Sequence, residues 1–399
     1  MTTTIDNEHK IFNVPNLRFP EFEGEWEEER LSDIADTSKG IGISKDQLSA
    51  DGEPCILYGE LYTKYKSETI KEVISKTNID NTKLVKSKAN DVIIPCSGET
   101  AEEIATARCV LKDDVLLGGD LNIIRLHGYD GSFMSYQLNG KRKYDIAKVA
   151  QGVSVVHLYG EHLKNIKTIN PSLNEQKKIA NLLSLLDERI STQNKIIEDL
   201  KKLKSAIIEI EYSPKTKTSS HIGDFIVQTS KRNKDNAIQT ILSISNRQGF
   251  IQQSEQFENR SVASDDTSNY KIVERNSFAF NPARINVGSI ARLATFDRGI
   301  VSPMYICFRT KDNLFPEYLD YYFESKQFFT EIQKRLEGSV RQCLSFEGLC
   351  NIPLSIPTIE VQQKTGKRLS TLAQGIKLEI DFLELLQKQK KFLLHQMFI

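Results

Sequence analysis

The stretch 171-PSLNEQKKIANLLSLLDERISTQNKIIEDLKKLKSAI-207 returns as 357-PTIEVQQKTGKRLSTLAQGIKLEIDFLELLQKQKKFL-393, at a constant offset of 186 residues and without a gap. Pro171/Pro357, Gln176/Gln362, Lys178/Lys364, Leu183/Leu369, Leu186/Leu372, Ile190/Ile376, Leu200/Leu386 and Lys204/Lys390 are identical pairs. The register continues upstream through Gly152/Gly338, Leu158/Leu344, Leu163/Leu349 and Ile166/Ile352. A repeat this long sets the architecture before any single residue is weighed. The chain is two copies of a unit that ends in a helix.

Positions 179, 183, 186, 190, 193, 197, 200, 204 and 207 alternate spacings of four and three, the seam of a heptad helix. Ile179, Leu183, Leu186, Ile190, Ile197 and Leu200 make the seam of the first copy. Leu369, Leu372, Ile376, Leu383 and Leu386 make that of the second. Both seams are interrupted at the same places, Gln193/Glu379 and Lys204/Lys390, as a fixed pairing register would require. Ser172 and Thr358 follow the prolines as candidate caps, with Asn174 an alternative for the first. Each helix of roughly 37 residues is ~55 Å long and buries only one stripe, so it needs a partner. The expected pairing is an antiparallel intramolecular coiled coil; a parallel or intermolecular pair is the alternative.

Outward from the helices, the segments 21–150 and 211–340 read as globular and strand-rich. Candidate strands are 55-CILYG-59, 91-DVIIPC-96, 121-LNIIRL-126, 277-SFAFN-281 and 304-MYICFR-309, short apolar runs bounded by turn residues. The linker 211-EYSPKTKTSSH-221 is polar and carries Pro214. The expected fold is α+β: an arm (1–20), a first head (21–150), a first helical region (151–210), a second head (211–340) and a second helical region (341–399). Between the heads only 90-NDVIIP-95 with 276-NSFAFN-281, and Leu84/Val85 with Ile272/Val273, align.

Composition narrows the function. The 53 Lys/Arg balance 53 Asp/Glu, which argues against a chain that grips phosphates alone over its whole surface. Charge is sorted locally: 21-EFEGEWEEER-30 is acidic, whereas 363–399 carries seven Lys/Arg against three acidic residues. No run approaches the ~20 apolar residues of a membrane span, and the first residues do not read as a secretory signal. The six cysteines form no framework, consistent with reduced thiols in a cytoplasm.

Catalytic signatures are absent. There is no phosphate-binding loop, no dinucleotide fingerprint, and no His/Cys array with zinc spacing. The run 281-NPAR-284 has the outline of the Asn-Pro-Pro-aromatic loop of adenine methyltransferases, but Arg284 stands where the stacking aromatic belongs. Cys343 and Cys350 could form a disulfide or a ligand pair, but read as two unrelated buried cysteines. The acidic pairs Asp113–Asp114, Glu102–Glu103 and Asp265–Asp266 read as solvated turns. We expect no catalytic residue, metal or cofactor in this chain.

The chain resembles the specificity subunit of type I restriction–modification systems. The resemblance rests on 17-LRFPEFEGEW-26 with Leu31 and Ile34, on 152-GVSVVHLYGEHLKNIKTINPSLNEQKKIANLLSLLDERI-190, and on the order head, helix, head, helix. The second copy keeps Gly338, Ser339, Leu344, Pro357, Gln362 and Leu369, but has Val361 for Glu175, Gly366 for Ala180 and Ala373 for Asp187. The resemblance implies that each head reads half of a bipartite double-stranded DNA site. It implies helices that act as a spacer, and flanks that dock two modification subunits. Those subunits would methylate adenine N6 with S-adenosylmethionine, and restriction/translocase subunits would add ATP- and Mg-dependent cleavage.

Within that implication, cations that hold phosphates and side chains that read base edges are the residues to seek. In the first head these are Lys83, Lys86 and Lys88, with Arg108 and Arg125. If 83–88 is a strand, Lys86 and Lys88 share a face. In the second head they are Lys231, Arg232 and Lys234, then Asn246, Arg247 and Gln248, with Arg284, Arg292, Arg298 and Arg341. Two other classes compete: a coiled-coil scaffold whose heads bind proteins, and a restriction enzyme acting alone, which needs metal-binding carboxylates in a head.

Overall fold

The computed structural model of the chain describes residues 13–152, 155–213, 219–246, 248–253, 266–338 and 342–399. Ser154, Pro214, Arg247, Asp265, Ser339 and Arg341 lie outside the described residues. The chain forms two compact units, Met1–Asn194 with Asp381–Ile399, and Lys195–Ile380. The long helices α1 (Leu173–Tyr212) and α2 (Ile359–Gln396) each give one end to each unit. They begin directly after Ser172 and Thr358 and run for 40 and 38 residues.

Every seam position named from the heptad is buried or half-buried. In the first unit, Ile179 and Leu183 share an apolar cluster with Leu393, Met397 and Phe398. In the second unit, Ile208 and Tyr212 share one with Leu369, and Glu211 lies 3.4 Å from Thr365 and 3.7 Å from Arg368. In both, the late part of one helix meets the early part of the other, so the pair is antiparallel and lies within one chain. Gly366, which replaces the alanine of the first copy, lies where a Cβ would stand 3.3 Å from Glu317 Cβ.

The first head is two sheets. One has the order β2 (Ala35–Lys39), β12 (Leu121–Leu126), β8 (Asp91–Pro95), β10 (Arg108–Val110), β5 (Thr69–Ile70). The other has the order β3 (Leu48–Ser49), β6 (Ser75–Thr77), β4 (Glu53–Ile56), β11 (Leu116–Leu117), β7 (Val85–Lys86). Two short antiparallel pairs, β1 (Glu27–Arg30) with β14 (Lys167–Asn170) and β9 (Ser97–Gly98) with β13 (Val156–His157), complete it. β8 is apolar without alternation because both its faces are covered. Val92 and Ile94 enter one core with Met134 and Leu138 of the helix Gly131–Asn139, while Ile93 enters the core between the sheets with Ile56 and Leu117.

The second head repeats this plan. Its sheets are β15 (Ile226–Thr229), β22 (Ile306–Thr310), β19 (Phe278–Phe280), β20 (Ile290–Arg292) and β17 (Gly249–Gln252), β16 (Ile241–Ser245), β21 (Arg298–Val301), β18 (Lys271–Glu274). β2-β12-β8-β10 answers β15-β22-β19-β20, and β6-β4-β11-β7 answers β17-β16-β21-β18. The single parallel contact inside the second sheet recurs as β4·β11 and β16·β21. Phe278 and Phe280 point to one core and Ala279 to the other, as Val92, Ile94 and Ile93 do. Asn90 and Asn276, which precede β8 and β19, both have positive φ (83° and 68°), a conformation Asn tolerates better than most residues. The heads are therefore alike in topology where their sequences barely align.

One glutamine joins head to helix in each unit. Gln176 accepts from the Asp130 N–H at 2.9 Å and donates to the Pro171 carbonyl at 2.8 Å. Gln362 accepts from the Phe315 N–H at 2.8 Å and donates to the Pro357 and Asn313 carbonyls at 2.9 and 3.2 Å. Gln362→Ala leaves these buried groups unpaired and is expected to cost about 2–3 kcal/mol, read as a lower midpoint in urea denaturation. The neighbouring Glu175 is buried and holds Arg18 of the N-terminal arm through two bonds of 2.8 Å. Val361 at the matching place is exposed, so that substitution costs no buried contact.

Candidate nucleic-acid interface

In the second head, buried Asn233 fixes the basic run. Its side chain donates to the Ile238 carbonyl at 3.0 Å and accepts the Ile238 N–H at 3.1 Å. Its own N–H bonds to the Tyr270 carbonyl at 3.0 Å. This turns Lys231, Arg232 and Lys234 outward. They line an open groove of roughly 790 Å³ together with Arg298 of β21 and Ile272 and Glu274 of β18. Glu274 and Arg298 stand opposite each other in the β18–β21 pair. Four cations thus converge against two carboxylates, Asp235 and Glu274. None of the four is in an ion pair among the described residues. Arg232 is steadied by Asn269 at 3.0 Å.

The first head has its exposed cations at the corresponding place. Lys83, Lys86 and Lys88 surround β7, the last strand of its second sheet, as β18 is of the other. The strand is shorter than the sequence suggests, Val85–Lys86 only. It ends because Ser87 turns inward to the Lys112 carbonyl and Asp91 accepts the Lys88 N–H at 2.8 Å, so Lys88 leaves the strand face expected for it. Lys86 meets Glu53 at 3.4 Å in an exposed pair, which holds it weakly.

Three arginines are engaged inside their own heads. Arg108 lies against the Tyr65 and Ala107 carbonyls, and burial lowers its pKa against the pull of Glu68 and Asp187. Arg125 forms a two-point pair with Asp91 at 2.8 and 2.7 Å, which raises its pKa. Arg292 is one-tenth exposed and binds Asp320 at 3.1 Å and Asn276 at 2.7 Å. Arg284 is exposed next to the short helical turn Ile285–Val287. Asn246 and Gln248 are exposed in the β16–β17 connection, where Ser245 pairs with Gly249 at a φ of 68°.

Asp320 carries a pH consequence. Desolvation pushes its carboxyl up to about 6, against the attraction of Arg292. Its side chain nevertheless keeps 31% of its surface, so water screens part of the effect. The folded state then holds a proton that the unfolded chain releases near pH 4. Stability contributed by this group therefore falls as pH rises from about 4 to about 6. Asp320→Asn is expected to flatten that slope, by roughly 1–2 kcal/mol after screening, in urea titrations across this range.

Sequence reading missed a second apolar series on the helices. Leu378, Leu385 and Phe392 recur every seven residues on α2 and are 68, 61 and 59% exposed. Ile196, Leu203 and Ile210 do the same on α1. The spacing was present in the sequence, but an apolar residue off the seam is legible only once the seam is known to be filled. No group of three or more His, Cys, Asp or Glu able to hold a metal occurs among the described residues. All six cysteines are free; Cys343 and Cys350, expected to be buried, are half-buried. No described helix is long and apolar enough to cross a membrane.

Known proteins share this plan. A curated relative, the type I restriction enzyme MjaVIII specificity subunit of Methanocaldococcus jannaschii, is 29% identical over 203 residues. That match covers 51% of this chain and 44% of the relative, so it spans under half of the relative's length. The crystal structure of the type I restriction-modification system S subunit from M. genitalium superposes with a TM-score of 0.63 at 17% identity, over 97% of this chain and 99% of that one. A structure described for complex assembly and conformational transition of the type I R-M system gives 0.53 at 13% identity, over 95% and 98%. These two establish likeness of fold. The family model for the type I restriction modification DNA specificity domain matches residues 23–202 and again 263–388, one match for each copy of the repeat. Two matches in one chain, on two heads of one topology, show that the chain belongs to the type I restriction modification DNA specificity domain family.

Proposed function

We propose that the chain reads a bipartite double-stranded DNA site, one half with each head, and so directs methylation of adenine N6 by two modification subunits. The observation that carries this reading is the repeated position of the cations. Lys83, Lys86 and Lys88 lie on or beside β7, and Lys231, Arg232 and Lys234 flank β18, the matching edge strands of the two heads, with Arg298 on the neighbouring β21; the two sets are unrelated in sequence. Such side chains hold phosphates and fix register, while Asn246 and Gln248 are suited to base edges. Arg108, Arg125 and Arg292 would act indirectly, by holding the shape of their heads.

The exposed heptad series on α1 and α2 are the surfaces we assign to the modification subunits, since apolar side chains spaced by seven invite a further helix. S-adenosylmethionine would be held by those subunits. ATP and Mg would serve restriction/translocase subunits, in a cytoplasmic assembly. The test is co-expression with the candidate modification subunit, followed by mapping of N6-methyladenine in host DNA. The expected result is one split motif, methylated on both strands and absent without this chain. A stable, cofactor-competent complex that adds no methylation would favour protein-binding heads instead.

A further inference from the structure

Lys204 and Lys390 are one of two matched polar interruptions in the apolar seams, 186 residues apart. Each is mostly buried, with 19 and 16% of its side chain exposed. In the first unit, Lys390 Nζ lies 2.5 Å from Glu68 and 2.6 Å from Asp187, over the Tyr136 ring at 5.6 Å. Asp187 also accepts from the Tyr136 hydroxyl at 2.8 Å and the Ser67 hydroxyl at 2.9 Å. In the second unit, Lys204 Nζ lies 2.6 and 2.9 Å from the two oxygens of Glu324, over the Tyr321 ring at 5.1 Å. So each seam lysine reaches a carboxylate and a tyrosine of the head in its own unit.

An apolar residue would suit a helix seam better. A buried charge pair is instead sensitive to geometry: a slide of one helical residue, ~1.5 Å, opens a 2.6 Å contact and strands the charge. Single polar residues at seam positions are known to specify register at the expense of stability. Asp187 has become Ala373 in the second copy, yet the lysine–carboxylate–tyrosine arrangement survives there with Glu324.

We propose that Lys204 and Lys390 are positioning residues that lock each head in one setting on the helix pair, and thereby fix the spacer length tolerated between the two half-sites. This rests on the DNA-reading role proposed above. The test assembles the full chain with its modification subunit and methylates a library holding both half-sites at spacers from two base pairs short to two long. The native complex should use one spacer. Lys390→Met and Lys204→Met should keep both half-sites but raise methylation at neighbouring spacers at least tenfold relative to the native spacer. Mere destabilisation would lower methylation at all spacers alike. If the Met variants fail to fold, Glu68→Gln and Glu324→Gln loosen the same contacts from the head side. Native-like spacer selection in folded variants overturns the lock alone. No split motif even with the native chain overturns the DNA-reading role and the lock with it.

Discussion

Replacing Lys231, Arg232, Lys234 and Arg298 together by alanine is expected to weaken site binding by the assembled complex on the order of a hundredfold at physiological salt. The argument is electrostatic. Each phosphate contact releases counterions, so the logarithm of affinity falls with the logarithm of salt by about 0.9 per contact. Four lost contacts would make that slope shallower by up to about 3.6. The groove holds these cations on β21 and on a run fixed by buried Asn233, so their removal takes away charge without touching a core. Filter binding at several salt concentrations measures both affinity and slope. An unchanged slope would place the DNA elsewhere on this head.

Phe308→Ala is expected to destabilise the second unit by about 3–5 kcal/mol, a large part of a domain's usual ~5–15 kcal/mol. Phe308 is fully buried, stacks on Phe278 at 5.1 Å and 9°, and meets Phe280, Phe323 and Phe346 edge-on or tilted. Truncation removes both the transferred surface and the ring contacts. Cys307, one residue earlier, points to the other, smaller core. Cys307→Ala should cost far less. Paired urea denaturation curves separate the two, and equal losses would contradict the assignment of faces.

That pair also shows what the sequence made legible. The run 304-MYICFR-309 declared a strand as a short apolar run bounded by turn residues; the strand β22 starts two residues later, at Ile306, and puts Phe308 in one core and Cys307 in the other. The long helices were legible for a stronger reason: the repeat states the seam twice, and the matched interruptions at Lys204 and Lys390 hold to it. The likeness of the heads was not legible beyond 90-NDVIIP-95 with 276-NSFAFN-281 and Leu84/Val85 with Ile272/Val273, which fall at β7 and β18, because strand order depends on pairing across the chain rather than on residue identity. The same limit applies to cations. An arginine's letter does not say whether a carboxylate will fold beside it, as Asp91 does beside Arg125 and Asp320 beside Arg292. Nor does it say that Arg298 will join a basic run more than sixty residues away. Neutral net charge misleads in the same way, since Glu21, Glu28 and Glu29 of the acidic opening are taken up by Lys178, Lys167 and Tyr129.

The central claim is that the two heads read separate halves of one site. It is tested most directly by exchanging the second head, residues 211–340, for that of a related chain with a different methylation motif, and mapping N6-methyladenine. The account predicts that one half of the motif changes while the other half and the spacer stay as they were. A motif in which both halves change, or neither does, would contradict it.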